Sequence, residues 1–216
     1  MRQLYVRRGS RMTAAQAKAY ALLDEFTLDL EDAKCTAEIL QGNRKLLVEI
    51  GFGNGDALAQ FASNHPEWLC IGVEVFRPGI GSLIRRCQKD ELTNVRIAET
   101  DALTLLEALP DSTVDLLLVF FPDPWPKRRH HRRRLVNEEF SEIASRKLVP
   151  NGSMVLATDW EDYAVQIQDV LSRNRLMEGG PIPRYEARPK TRFEERGEKL
   201  GHNVWDFQYE RVSTTK

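Results

Sequence analysis

Two rhythms of apolar residues alternate along the chain. Lys45–Ile50, Leu69–Val75, Asn94–Ala98, Val114–Phe121 and Ser153–Thr158 read as strands, while Asn54–Asn64, Pro78–Lys89, Leu103–Leu109, Asn137–Lys147 and Tyr163–Arg173 carry helical spacing. A parallel connection needs a crossover, so this order predicts an α/β fold with a mostly parallel sheet covered on both faces. Val114–Phe121 is the most hydrophobic segment and reads as a central strand. The tail, Val204–Tyr209, alternates with period two and predicts an antiparallel C-terminal edge strand. Upstream, Thr13 reads as the N-cap of an Ala-rich helix running to about Leu28, followed by a short helical stretch at Ala33–Leu40. Residues 1–44 thus read as a basic N-terminal segment with a helical extension, and residues 45–216 as the main domain.

Composition narrows the class. The 216 residues are 42% hydrophobic and 29% charged, an ordinary globular mixture that excludes fibrous and disordered readings. The longest strongly apolar run, Leu116–Phe121, is far short of the ~18–20 residues a membrane helix needs, and the N-terminus lacks a secretory apolar stretch. Cys35, Cys70 and Cys87 form no Cys-x-x-Cys pair, and the four histidines lack metal-ligand spacing. A cytoplasmic protein without a metal site is expected. The formal charge of -1 by itself argues against a polyanion partner. It conceals a segregation, however, because Lys127–Arg134 holds six basic residues and no acid. The rest carries 25 basic against 32 acidic residues, a balance of -7.

Between the first strand and its helix lies Glu49-Ile50-Gly51-Phe52-Gly53-Asn54-Gly55. Glycines there admit positive φ and close approach of a ligand, although Gly51, Gly53 and Gly55 suit mere tight packing as well. Glu74 closes the second strand, where a carboxylate can accept both hydroxyls of a ribose. Asp101 follows the third, where it can accept from the exocyclic amine of adenine. Three strand ends in order suit an adenosine-type cofactor. The spacing lacks the third glycine of the dinucleotide fingerprint, which favours S-adenosylmethionine over NAD, with Glu49 meeting the ammonium group of the methionine part.

Phe121-Pro122-Asp123-Pro124-Trp125-Pro126 follows the central strand, where open α/β folds place ligands. Its three prolines fix φ, so Asp123 stands as a fixed acceptor beside a flat indole and suits a planar base; a structural turn is the competing reading. In the basic run that follows, Lys127, Arg128, Arg129, Arg132, Arg133 and Arg134 have no interleaved acid to pair with. They suit RNA phosphates, against the plainer reading of a solvated charged face. Asp159 closes the fifth strand, and Thr191-Arg192-Phe193-Glu194 near the C-terminus mixes a hydroxyl, an aromatic ring and charge.

These pieces, in this order, resemble the bacterial tRNA (guanine-N7)-methyltransferases of the TrmB type. Glu49–Gly55, Gly72-Val73-Glu74-Val75 with Arg77-Pro78-Gly79, Phe120–Lys127, Thr158-Asp159-Trp160, Thr191-x-Phe193-Glu194 and Gly201-His202-x-Val204-Trp205-Asp206 carry the likeness over residues 45–212. The Pro-Asp-Pro-Trp and Gly-His-x-Val-Trp-Asp pieces are its most specific parts. The resemblance implies a Rossmann-like S-adenosylmethionine-dependent fold and methyl transfer to the guanosine of the tRNA variable loop. It assigns cofactor contacts to Glu49, Gly51, Gly53, Gly55, Glu74, Asp101 and Asp123. Substrate contacts fall on Lys127, Asp159, Thr191, Arg192, Phe193 and Glu194, and the catalytic position on Asp123. Guanine N7 carries a free lone pair, so no general base of the serine–histidine kind is required. Two rivals remain at this point: an amino-group methyltransferase acting on another base or a protein side chain, and a non-catalytic RNA-binding module.

Overall fold

The protein, seen here as a computed structural model, is described over residues 11–28, 44–190, 194 and 203–213. It comprises two compact units, Met1–Pro110 and Asp111–Lys216.

In the first unit, β1 (Leu46–Ile50), β2 (Leu69–Val73) and β3 (Val95–Ala98) pair in parallel in the order β3-β2-β1. Every residue of β1 and β2 is buried, as a parallel strand covered on both faces requires. Helix α1 (Ala14–Tyr20) starts with a reciprocal cap. The Thr13 hydroxyl accepts from the Gln16 N–H at 3.2 Å, and the Gln16 side chain accepts from the Thr13 N–H at 2.8 Å. The expected continuation to Leu28 does not form. A 3₁₀ turn at Leu23–Glu25 follows instead, and the chain then runs beside β3. The Ile97 N–H donates to the Phe26 carbonyl at 2.7 Å, and the Leu28 N–H to the Ile97 carbonyl at 3.0 Å. Bonds to β3 thus replace the helical ladder. The stretch expected at Ala33–Leu40 lies outside the described residues.

Helix α2 (Asp56–Asn64) follows the glycine turn, and α3 (Arg77–Lys89) carries Pro78 in its first turn, where a missing N–H costs nothing. Helix α4 (Ala102–Ala108) completes the unit. Helix α1 rests on α3, with Gln16 Nε2 donating to Ser82 Oγ at 2.9 Å.

In the second unit, β4 (Val114–Phe120) and β5 (Leu148–Thr158) are parallel. The antiparallel β7 (Trp205–Arg211) lies beside β5, and β6 (Met177–Ile182) lies outside it, giving the order β4-β5-β7-β6. The C-terminal strand is antiparallel as its pattern predicts, but β6 takes the outer position. The sequence reading missed β6 because Met177-Glu178-Gly179-Gly180-Pro181-Ile182 has neither alternation nor β-branched enrichment. Strand β5 also begins earlier than expected, absorbing Pro150 and Asn151 in a register shift opposite Val114–Leu116. Helices α5 (Glu138–Lys147) and α6 (Glu161–Ser172) follow β4 and β5. The Asn137 side chain caps α5 by accepting from the Phe140 N–H at 3.0 Å. Among the described residues no helix is long and apolar enough to cross a membrane.

Candidate active site

In the first unit the turn after β1 is left-handed at alternate residues, with φ of 68°, 56° and 76° at Gly51, Gly53 and Gly55. Side-chain-bearing residues resist that region, which explains the spacing. The turn is clasped by Glu74, whose Oε2 accepts from the Gly53 N–H at 3.0 Å. Its Oε1 accepts from the N–H groups of Val75 at 2.7 Å and Phe76 at 3.0 Å. The start of α3 presses on the same turn so closely that a Cβ on Gly79 would lie 2.1 Å from the Gly53 carbonyl oxygen.

Glu49 is buried on β1 beneath this turn, and its Oε2 has no hydrogen-bond partner among the described residues. Burial first, then the charges of Asp56 and Glu74, push its carboxyl up to about 8, against a lowering backbone hydrogen bond at Leu58. A buried carboxylate oxygen left unpaired is costly, and a cationic group satisfies it best. Asp101, expected at the adenine, is the N-cap of α4 and accepts from both the N–H and the hydroxyl of Thr104. A carboxylate has about four acceptor sites, so a further ligand contact is compatible with this cap.

In the second unit, the loop after β4 exposes Asp123 between two bulky residues in the left-handed region, Phe121 (φ 51°) and Trp125 (φ 45°). Such conformations cost on the order of 1–3 kcal/mol each and persist only where the surroundings over-determine them. Here the Phe121 N–H donates to the Ala157 carbonyl at 2.8 Å, and the Arg188 guanidinium lies 5.0 Å from the Phe121 ring centre. At the other end Arg134 Nε donates to the Pro124 carbonyl at 2.8 Å, and Arg133 lies 5.0 Å over the Trp125 ring. Asp159 is exposed at the end of β5, followed by Trp160, one of two exposed large hydrophobic residues among the described residues.

The basic run forms a 3₁₀ helix, Arg128–Arg133. Lys127, Arg128, Arg129 and Arg132 are exposed and Arg133 is half-buried. Desolvation, and then the charges of Arg133, Arg129, Lys127 and Arg132, lower the pKa of His130. Arg134 departs from the expectation of a phosphate contact. Its side chain is buried, bonding Gln166 at 2.8 Å and Asp162 at 2.7 Å besides the Pro124 carbonyl, and it stacks 4.9 Å over Tyr163. Each of its three side-chain nitrogens bonds within the protein, so it anchors the loop. Glu194 departs from its expected role as well. Its side chain is 1% exposed and both oxygens accept from Arg188, at 2.6 and 2.9 Å. Burial opposes its ionisation, but the Arg188 hydrogen bonds and charge, with help from Arg184, hold its pKa below the ordinary value. Thr191, Arg192 and Phe193 lie outside the described residues.

Sequence reasoning missed Arg188 and gave no role to Asp206, which accepts from Arg188 at 3.0 Å. The pattern gave no signal for Asp206, because it falls on the polar face of the alternating strand with Gln208 and Glu210.

Comparison with known proteins agrees with this layout. Residues 43–207 match the family model described as "Putative methyltransferase" (Methyltransf_4). The tRNA (guanine-N(7)-)-methyltransferase of Nitrosococcus oceani is 44% identical, covering 96% of this chain and 89% of that protein; its namesake in Pseudomonas aeruginosa is 43% identical, covering 96% and 88%. Among solved structures, the 16S rRNA methyltransferase KamB superposes with a TM-score of 0.60 at 14% identity, over 84% of this chain and 94% of that one. A 16S rRNA (adenine(1408)-N(1))-methyltransferase mutant from Catenulisporales acidiphilia, solved with S-adenosylmethionine, gives 0.58 at 16% identity, over 86% and 93%. The fold is therefore that of the Rossmann-like, S-adenosylmethionine-dependent methyltransferases. By identity and coverage together, the chain belongs to the bacterial tRNA (guanine-N7-)-methyltransferase family.

Proposed function

We propose that the protein transfers a methyl group from S-adenosylmethionine to N7 of guanosine-46 in the tRNA variable loop, forming 7-methylguanosine. The observation that carries this reading is the loop after β4. Asp123 is exposed there between two residues in strained backbone conformations, each pinned by an arginine, in a chain 44% identical to a tRNA (guanine-N(7)-)-methyltransferase. Strain of this kind is kept where a side chain must be aimed.

The residues of the first unit fit the cofactor. The unpaired Oε2 of Glu49 suits the ammonium group of its methionine part, Gly51, Gly53 and Gly55 leave room for close approach, and Glu74 and Asp101 suit ribose and adenine. When bound, the cofactor supplies an electrophilic methyl group on a positively charged sulfur. In the second unit, the exposed carboxylates of Asp123 and Asp159 suit the N–H donors of guanine and offset positive charge that develops on the base. The exposed Trp160 offers a flat face for stacking, worth about 1–3 kcal/mol per base. Lys127, Arg128, Arg129 and Arg132 present their charges outward for phosphates. No proton must leave N7, so catalysis rests on positioning and charge rather than on a general base.

The test incubates the protein with methyl-labelled S-adenosylmethionine and unmodified tRNA, running wild type beside Asp123→Asn. The expected product is 7-methylguanosine at one variable-loop position, with turnover lost in Asp123→Asn while cofactor binding persists. Label on an exocyclic amine, or no label in tRNA, would overturn the assignment. Wild-type turnover in the variant would remove Asp123 from the mechanism.

A further inference from the structure

The second unit contains a buried ionic bracket centred on Arg188. This side chain is 1% exposed and uses its whole fork. Nη1 donates to Glu194 Oε2 at 2.6 Å, Nη2 to Glu194 Oε1 at 2.9 Å and to Asp206 Oδ2 at 3.0 Å, and Nε to Asp206 Oδ1 at 3.0 Å. Arg184 adds a bond from Nε to Glu194 Oε1 at 3.2 Å and another from Nη2 to the Arg188 carbonyl; the Tyr185 N–H donates to Asp206 Oδ1 at 3.3 Å. The guanidinium lies 5.0 Å from the ring centre of Phe121 and 5.9 Å from that of Phe120.

Buried ion clusters are poor devices for stability, since apolar replacements often fold as well. What this one supplies is a fixed geometry in a particular place. Phe121 is the left-handed residue from which the loop bearing Asp123 departs. A bulky residue held in that region needs an over-determined environment, and Arg188 provides part of it from beneath. The bracket also removes Glu194 from solvent, so a base edge has no access to that carboxylate while the ion pair is intact.

We propose that Arg188 is a positioning residue for methyl transfer: it holds Glu194 and Asp206 in one buried bracket and, through Phe121, fixes the aim of Asp123. Glu194 accordingly acts through Arg188 and not by touching guanine. This rests on the methyl-transfer reading above. A lysine cannot replace the fork, because an ammonium is a point charge without a planar face to stack on Phe121.

Arg188→Lys and Glu194→Gln, singly and combined, are compared with wild type for S-adenosylmethionine binding by calorimetry and for kcat and KM with tRNA. Cofactor affinity is expected within twofold of wild type and KM for tRNA nearly unchanged, with kcat reduced at least tenfold in each single variant. The double variant should be no slower than the slower single, because both lesions open one bracket. Wild-type kcat in Arg188→Lys would overturn the proposal. So would losses that multiply in the double variant, which would place Glu194 on the substrate independently. Loss of cofactor binding in Arg188→Lys would make Arg188 a folding residue and equally overturn it. Failure of the underlying reading is seen separately, as absence of 7-methylguanosine in the wild-type reaction.

Discussion

Glu49 is costly for the folded chain and useful for a ligand. Its carboxyl is raised from 4.5 to about 8, so the folded protein keeps a proton that the unfolded chain releases. Stability from this group is therefore fully present below about pH 4.5 and is lost as pH rises toward about 8. A cationic ligand favours the ionised form, so cofactor affinity should climb across the same window. Calorimetry of S-adenosylmethionine binding at pH 7, in buffers of different ionisation enthalpy, should record release of close to one proton. Glu49→Gln should abolish the release and weaken binding at least about tenfold, or 1.4 kcal/mol. An unchanged affinity with no proton release in wild type would separate Glu49 from the cofactor. At this scale the sequence was legible where a residue type has few other uses, as with the alternating glycines. It misled where one residue type serves two purposes. Arg134 anchors a loop and Glu194 sits in an ion pair, and only three-dimensional partners distinguish these roles from ligand contacts.

Buried parallel strands were legible even where short, because burial on both faces leaves a nearly continuous apolar run, as in β1 and β2. Elements set by tertiary bonds were not. Helix α1 stops at Tyr20 because Phe26 and Leu28 bond to Ile97, and β6 exists only as the partner of β7. The basic 3₁₀ segment combines both situations, with its exposed cations separate from its anchor. If Arg128 and Arg132 each neutralise one phosphate, Arg128→Glu with Arg132→Glu should flatten the slope of log affinity against log salt by about 1.5, at ~0.7–0.9 per contact. Arg134→Met should leave that slope alone and lower stability by about 2 kcal/mol through lost buried hydrogen bonds. Filter binding of tRNA across salt concentrations, with thermal melts of the same variants, checks both. An unchanged slope and affinity in the double variant would remove the segment from RNA binding.

Over the whole molecule, a net charge of -1 is the sum of two opposed requirements. Carboxylates at Glu49, Glu74, Asp101, Asp123 and Asp159 suit a positively charged donor and a base rich in N–H groups, while exposed cations from Lys127 onward suit a polyanion. Segregation along the chain, which the total conceals, is what the sequence made legible. In the proposed reaction N7 itself is the nucleophile, with no proton to remove and no exocyclic amine involved. The most direct measurement replaces the guanosine at position 46 of an otherwise unmodified tRNA with 7-deazaguanosine, which keeps the Watson–Crick edge but has carbon in place of N7. Methyl incorporation from labelled S-adenosylmethionine should fall to background while the tRNA still binds; continued incorporation at wild-type rate would contradict the account.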